Sequence, residues 1–199
     1  MTTYEGIVIR LYPSAEADLV LRVITREVGK ISLLARSARK SKKRFRNPLD
    51  LLDHGSFEVR PGKGSLLLVE SFTPAPSLRQ LREDLNKITA ASVLCDCCDL
   101  LIHEAAEDTG EIFSTMTLAL EAIDRSTSVR ETLKALYFAV AHILNVSGYG
   151  TAQSEGAPSV NKLRKLLSFV EECAERKLES KSALSLVTDA LKQEVHNAA

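Results

Sequence analysis

At Pro74-Ala75-Pro76 the hydrophobic pattern of this chain changes its period, and no single kind of secondary structure can serve both sides of the break. Before it, apolar residues alternate in short runs. After it, they recur about every 3.6 positions. Proline disfavours a helical residue before it and interrupts a strand ladder, so the triplet marks a boundary. The chain has 199 residues and is 45% hydrophobic, enough for a buried core in one large or two small domains. The expected class is α+β. Strands occupy 1–76, a helical bundle occupies 77–150, and 151–199 form a linker and helices packed on the bundle.

The strand half divides into five β-rich runs, 4–12, 18–25, 29–38, 51–60 and 65–75. The last two are joined by Pro61-Gly62-Lys63-Gly64, a hairpin turn whose glycines can supply positive φ. Five short strands with one longer excursion between the third and fourth suit a small closed barrel of the OB type, a frequent single-strand-binding scaffold. An SH3-like barrel has a similar strand count and competes with it.

Helical stripes follow the boundary. Leu85, Ile88, Ala91, Cys95, Cys98 and Ile102 make the first, and Ile112, Phe113, Met116, Ala119, Leu120 and Ile123 the second. Val129, Leu133, Leu136, Tyr137, Val140, Ile143 and Leu144 make the third, with Ser128 and Glu131 spaced as a capping box. Gly148-Tyr149-Gly150 ends that helix and opens the one long flexible stretch. Leu163, Leu166, Leu167, Val170 and Cys173 form a fourth stripe, and Leu184, Val187, Leu191 and Val195 a fifth.

Charge is distributed as unevenly as structure. Residues 1–80 carry 14 Lys/Arg against 8 Asp/Glu, whereas 81–199 carry 12 against 18. A basic front half points toward nucleic acid. The surplus is concentrated in Arg36, Arg39, Lys40, Lys42, Lys43, Arg44 and Arg46, seven bases in eleven positions without an acid. Such a run is often only a solvated loop. At the end of a strand it offers phosphates a surface that gains affinity by counterion release, without reading bases. Arg10, Arg22 and Lys30 can extend it across the barrel. Among the aromatics, Phe57 and Phe72 fall within strand runs and read as core. Tyr12 and Phe45 are candidates for stacking on bases, and Phe45 can equally anchor its loop.

Catalytic and metal readings find little support. Cys95-Asp-Cys97-Cys98 lies in a helical run without a second cysteine pair, and Cys173 stands alone, so the thiols read as buried. His54, His103, His142 and His196 belong to no catalytic motif. Gly62-Lys63-Gly64-Ser65 lacks the spacing of a phosphate-binding loop and joins two strands rather than opening a helix. The chain shows no secretory signal and no apolar run near the roughly 20 residues that span a bilayer. The expectation is a soluble, cytoplasmic protein that is not an enzyme and uses no metal or other cofactor.

Gly6-Ile-Val-Ile-Arg10, Glu16-Ala-Asp18, Thr25-Arg-Glu-Val-Gly29-Lys30, Ala35-Arg-Ser-Ala-Arg39-Lys40 and, further on, Gly148-Tyr149 occur in an order that resembles the RecO family of bacterial recombination mediators. The resemblance implies an amino-terminal OB-fold followed by a helical domain. It also implies binding of single- and double-stranded DNA and annealing of complementary strands. The implied partners are RecR and the acidic tail of single-strand DNA-binding protein, with RecA loaded indirectly onto coated strands in the RecF pathway. A nucleoid-associated location would follow. Two departures stand out. Many members carry a four-cysteine zinc module after the Gly-Tyr pair, whereas 151–158 here contains no cysteine. The familiar Gly-Ala-Arg of the basic loop is Ser37-Ala38-Arg39, tolerable unless the backbone needs positive φ.

The residues thus read as a DNA-binding and annealing mediator, with an acidic helical half that receives protein partners. A groove between helices beside Arg125, Arg130 or Lys134 would suit an acidic peptide. An RNA-binding barrel protein of the translation apparatus and a non-catalytic protein adaptor are the alternatives.

Overall fold

The structure, a computed structural model, describes residues 1–40, 45, 48–62, 66–76, 78–104, 109–150, 157–185, 187–189 and 191. Five strands, β1 (Thr2–Ser14), β2 (Asp18–Thr25), β3 (Gly29–Ala35), β4 (His54–Pro61) and β5 (Leu67–Pro74), close a barrel in the order β1-β2-β3-β5-β4. Neighbours are antiparallel except β3 and β5, which meet in parallel at Leu33–Leu67 and Leu34–Leu68. The placement of β5 between β3 and β4 makes the connection a Greek key and the domain an OB-fold rather than its SH3-like competitor. The protein is α+β, with helices following the barrel.

β1 is long enough to pair with two neighbours. Residues 2–7 run against β4 and residues 6–14 against β2, with a register shift between Val8 and Arg10. A bulge of this kind bends a strand and lets a small barrel close. At the overlap Gly6 faces Gly55. A Cβ on Gly6 would lie 2.4 Å from Val23 Cγ1, and one on Gly55 would lie 2.2 Å from the Thr73 carbonyl oxygen. The seam closes because neither residue has a side chain.

The barrel core contains Val8, Leu21, Val23, Leu33, Ala35, Phe57, Val59 and Val69, joined by Ala38, Phe45 and Leu49 from the β3–β4 connection. Phe57 is fully buried and meets the half-buried Phe72 ring at 4.6 Å between centroids. β3 ends before its apolar run does, and β4 begins after the start of its own. β3 stops at Ala35 because Ser37 turns the chain with φ +56°. β4 starts at His54 because Leu52 has φ +66°, although Val8 N–H still donates to the Asp53 carbonyl at 2.8 Å. The β4–β5 turn corrects another expectation. Gly62 has no positive φ, and glycine is required there because a Cβ would come within 2.4 Å of the Leu66 carbonyl oxygen. Lys63 and Gly64 lie outside the described residues.

By contacts the chain divides into two units, Met1–Ser77 with His103–Phe113, and Leu78–Ile102 with Ser114–Ala199. The inclusion of His103–Phe113 with the barrel has no signature in the periodicity. Glu104 bridges to Lys30 in parallel and accepts a hydrogen bond from Ser32 Oγ at 2.7 Å. Phe113 receives the His54 ring edge-on at 5.8 Å and the Arg26 guanidinium at 4.9 Å.

In the second unit α1 (Arg79–Glu83) is a short helix that the period did not reveal. α2 (Leu85–Leu101) packs against α1, α4 (Val129–Val146), α5 (Val160–Ala174) and a 3₁₀ turn at Glu179–Ala183; α3 (Thr109–Arg125) precedes α4 in sequence. The single stripe expected for α2 is therefore incomplete. Leu85 is exposed and Ile88 half-buried, while Thr89, Ala90, Val93, Leu94, Cys97 and Asp99 are also buried. Lys87, buried as well, donates from Nζ to the Asp124 carbonyl at 2.7 Å. The six residues of the α3 stripe are all buried. Leu184 and Val187 are buried after the 3₁₀ turn, and Val195 lies outside the described residues. No helix among the described residues is long and apolar enough to cross a membrane.

Candidate nucleic-acid interface

The β1–β2 ribbon places three of the expected contact residues together. Arg10 and Arg22 are direct cross-strand partners, and Tyr12 is two positions along β1 on the same face. The guanidinium carbons of Arg10 and Arg22 lie 5.6 and 5.4 Å from the Tyr12 ring centroid. These distances are within the range of cation–π attraction, which draws the cations to the ring. Tyr12 remains 36% exposed, one of the few large apolar side chains of the barrel open to solvent. An aromatic ring flanked by two cations can take a base on its face and phosphates at its edge.

The basic run is held at the β1–β2 turn, two residue pairs beyond the Tyr12–Val20 pair. Asp18 opens β2 and accepts a hydrogen bond from Ser37 N–H at 2.7 Å through Oδ1. The Ala17 carbonyl accepts from Arg39 N–H at 3.1 Å, and Lys40 N–H returns to the Ser37 carbonyl at 3.0 Å. Glu16 Oε1 pairs with Lys40 Nζ at 2.7 Å. Arg36, Arg39 and Lys40 are exposed, whereas Ala38 between them is buried in the barrel core. The remaining four bases of the run, Lys42, Lys43, Arg44 and Arg46, lie outside the described residues.

Two of the expected site residues are placed elsewhere. Phe45 is only 4% exposed and belongs to the barrel core, so it anchors the loop and offers no face for stacking. Lys30 is 6% exposed, beside the Glu104 bridge, and does not extend the open basic surface. Sequence reasoning also missed the acidic turn that grips the loop. Its signal was Glu16-Ala17-Asp18 itself, two acids in a β-turn beside a strongly basic segment.

Among the described residues the thiols and histidines assemble no alternative centre. Cys95, Cys97 and Cys98 are buried in α2, and burial pushes the Cys95 and Cys97 thiols well above their ordinary pKa. Among the described residues no group of three or more His, Cys, Asp or Glu is assembled for a metal. His54 instead sits against Glu5 Oε1 at 3.3 Å.

A concavity of about 480 Å³ lies between α4 and the start of α5, lined by Arg130, Leu133, Lys134, Pro158, Leu163 and Leu191 among others. Two of the three bases singled out near such a groove are on its wall. The third, Arg125, pairs with Glu121 at 3.0 Å.

Residues 1–75 match the family model described as "Recombination protein O N terminal". The chain is 36% identical over 100 residues to "DNA repair protein RecO" of Symbiobacterium thermophilum, covering 50% of this chain and 39% of the relative. It is 30% identical over 145 residues to the protein of the same name from a Roseiflexus species, covering 73% of this chain and 49% of the relative. With that of Bacillus cytotoxicus it shares 35% identity over 104 residues, 52% of this chain and 40% of the relative. The chain therefore spans about half the length, or less, of these curated relatives. The match over the barrel, together with relatives that extend it into the helices, shows that the chain belongs to the RecO family.

Proposed function

We propose that this protein acts in DNA repair and recombination as a mediator that binds single- and double-stranded DNA. It anneals complementary strands and assists loading of a recombinase onto strands coated with single-strand DNA-binding protein. The observation that carries this reading is the cationic grouping on β1–β2, with Arg10, Tyr12 and Arg22 on the strands and the Arg36–Lys40 segment tethered at their turn. Phosphate contacts from such a surface screen the repulsion between two strands without reading their bases. The reaction needs no bond-breaking group, so the reading assigns no catalytic residue and no cofactor.

The groove between α4 and α5 supports the partner half of the reading. Its largely apolar lining, which includes the cations Arg130 and Lys134, matches a short peptide ending in acids and an apolar anchor, such as the tail of single-strand DNA-binding protein. RecR is the other expected partner, and RecA is reached indirectly.

Annealing of two labelled complementary strands tests the proposal. The native chain should accelerate pairing. A variant with Arg39, Lys40, Lys42, Lys43 and Arg44 changed to glutamine should lose most of that acceleration. A native chain that leaves the rate unchanged would refute annealing.

A further inference from the structure

The β1–β2 turn does more than support the basic loop. Seven like charges in eleven residues repel one another, and free in solution they would spread. Here the first of them are held by three contacts from a single turn: Asp18 to Ser37 N–H, Ala17 to Arg39 N–H, and Glu16 to Lys40 Nζ. The first two contacts fix the backbone. The third is of another kind, because it places an anion on a cation of the proposed phosphate-binding surface. The two side chains are 88% and 61% exposed, so the pair is open to an incoming phosphate and contributes little to folding.

We propose that Glu16 is a built-in competitor for the phosphate site at Lys40, and that it sets how much of the loop's charge is open to a nucleic acid. The inference rests on the DNA-binding reading above. A carboxylate at 2.7 Å occupies the ammonium until a phosphate replaces it. A polyanion brings several phosphates to the same loop, but each must compete with this carboxylate for Lys40, so the native complex engages that cation only in part. Glu16 acts through Lys40 and is a positioning residue rather than a contact to DNA.

The test is a double-mutant cycle with the native chain, Glu16→Gln, Lys40→Gln and the double variant. Binding is read by fluorescence anisotropy on a labelled oligothymidylate across a salt series. Glu16→Gln should bind about twofold to fivefold more tightly at low salt, the range expected for releasing one exposed ion pair. Its log–log salt slope should steepen by about 0.7, one more phosphate engaged on a single strand. In the Lys40→Gln background the same substitution should change neither quantity, which a simple change in net charge or in folding would not produce. An unchanged affinity and slope for Glu16→Gln overturns the proposal, as does an equal gain in both backgrounds. A native chain that fails to bind sinks the DNA reading itself and this inference with it, an outcome separate from the other two.

Discussion

At the scale of single residues, the pieces of the family-like pattern have physical reasons that differ from one another. Gly6 is required by close approach at the barrel seam, where its Cβ would collide with Val23. Thr25 closes the β2–β3 turn, its hydroxyl donating to the Gly29 carbonyl at 2.8 Å, and Gly29 supplies φ +74°. Asp18 holds the root of the basic loop. Ser37 stands where the family resemblance implies a glycine, and the backbone there has φ +56°, a left-handed conformation that strains a side chain. Ser37→Gly should therefore stabilise the protein by about 0.5–1 kcal/mol in chemical denaturation, after allowing for the greater freedom of glycine in the unfolded chain. Gly55→Ala should cost about 3 kcal/mol, because the added methyl meets backbone that cannot move aside. Tyr12→Leu should weaken single-strand binding by about 1–3 kcal/mol, the worth of one stacked base, and should affect duplex binding less. Equal losses on the two substrates would exclude stacking. These roles were only partly legible in the sequence. The cationic residues and Tyr12 were visible as types at spacing, but burial decides between surface and core. Phe45 flanked by Arg44 and Arg46 looks polar in sequence, yet it is buried in the barrel core.

At the scale of elements, helix ends explain features that periodicity leaves open. Ser128 accepts from Glu131 N–H at 3.2 Å, and Glu131 reaches back to Thr127, accepting from its N–H at 2.7 Å and its hydroxyl at 2.9 Å. The expected capping box is thus present with its return bond one residue earlier. These bonds, led by the Thr127 N–H, hold the Glu131 carboxyl below its ordinary pKa. The Gly148-Tyr149 pair is a Schellman motif. Gly148 takes φ +81°, its N–H donates to Asn145, and Tyr149 N–H donates to Leu144 at 3.0 Å. α5 ends in the same way, but with Glu175 at φ +51°. Glu175→Gly should raise stability by about 0.5–1 kcal/mol for the same reason as Ser37→Gly. Beyond that cap, Glu171 secures the return of the chain. It accepts from Leu178 N–H at 3.1 Å and pairs with Lys181 and, at 3.7 Å, with Lys177. Burial pushes its carboxyl up, but the hydrogen bonds from Lys181 and Leu178 outweigh burial and hold it below its ordinary value. A depressed folded pKa gives stability that is fully present above the unfolded value of about 4.3 and is lost as pH falls through the lower, folded one. The urea midpoint of Glu171→Gln should therefore lie below the native one at neutral pH, and the gap should narrow in acid. A gap that does not change with pH would contradict the assignment.

At the scale of the whole molecule, the break at Pro74-Ala-Pro76 separates barrel from helices, and the five-strand count was readable from alternation alone. Two things were not. The choice between OB and SH3-like topology depends on where β5 pairs, a long-range fact that local pattern does not carry. The assignment of His103–Phe113 to the barrel unit depends on Glu104 and Phe113 finding partners on β3, β4 and the β2–β3 turn. The central claim is that the barrel's basic surface binds a nucleic-acid backbone, and fluorescence anisotropy on a labelled single strand across a salt series tests it most directly. The native chain would be compared with the variant neutralised at Arg39, Lys40, Lys42, Lys43 and Arg44. With about five phosphates engaged, the native log–log slope should be roughly −3.5 and should flatten markedly in the variant. Weak binding whose slope is the same in both proteins would contradict the account and remove this surface from DNA contact.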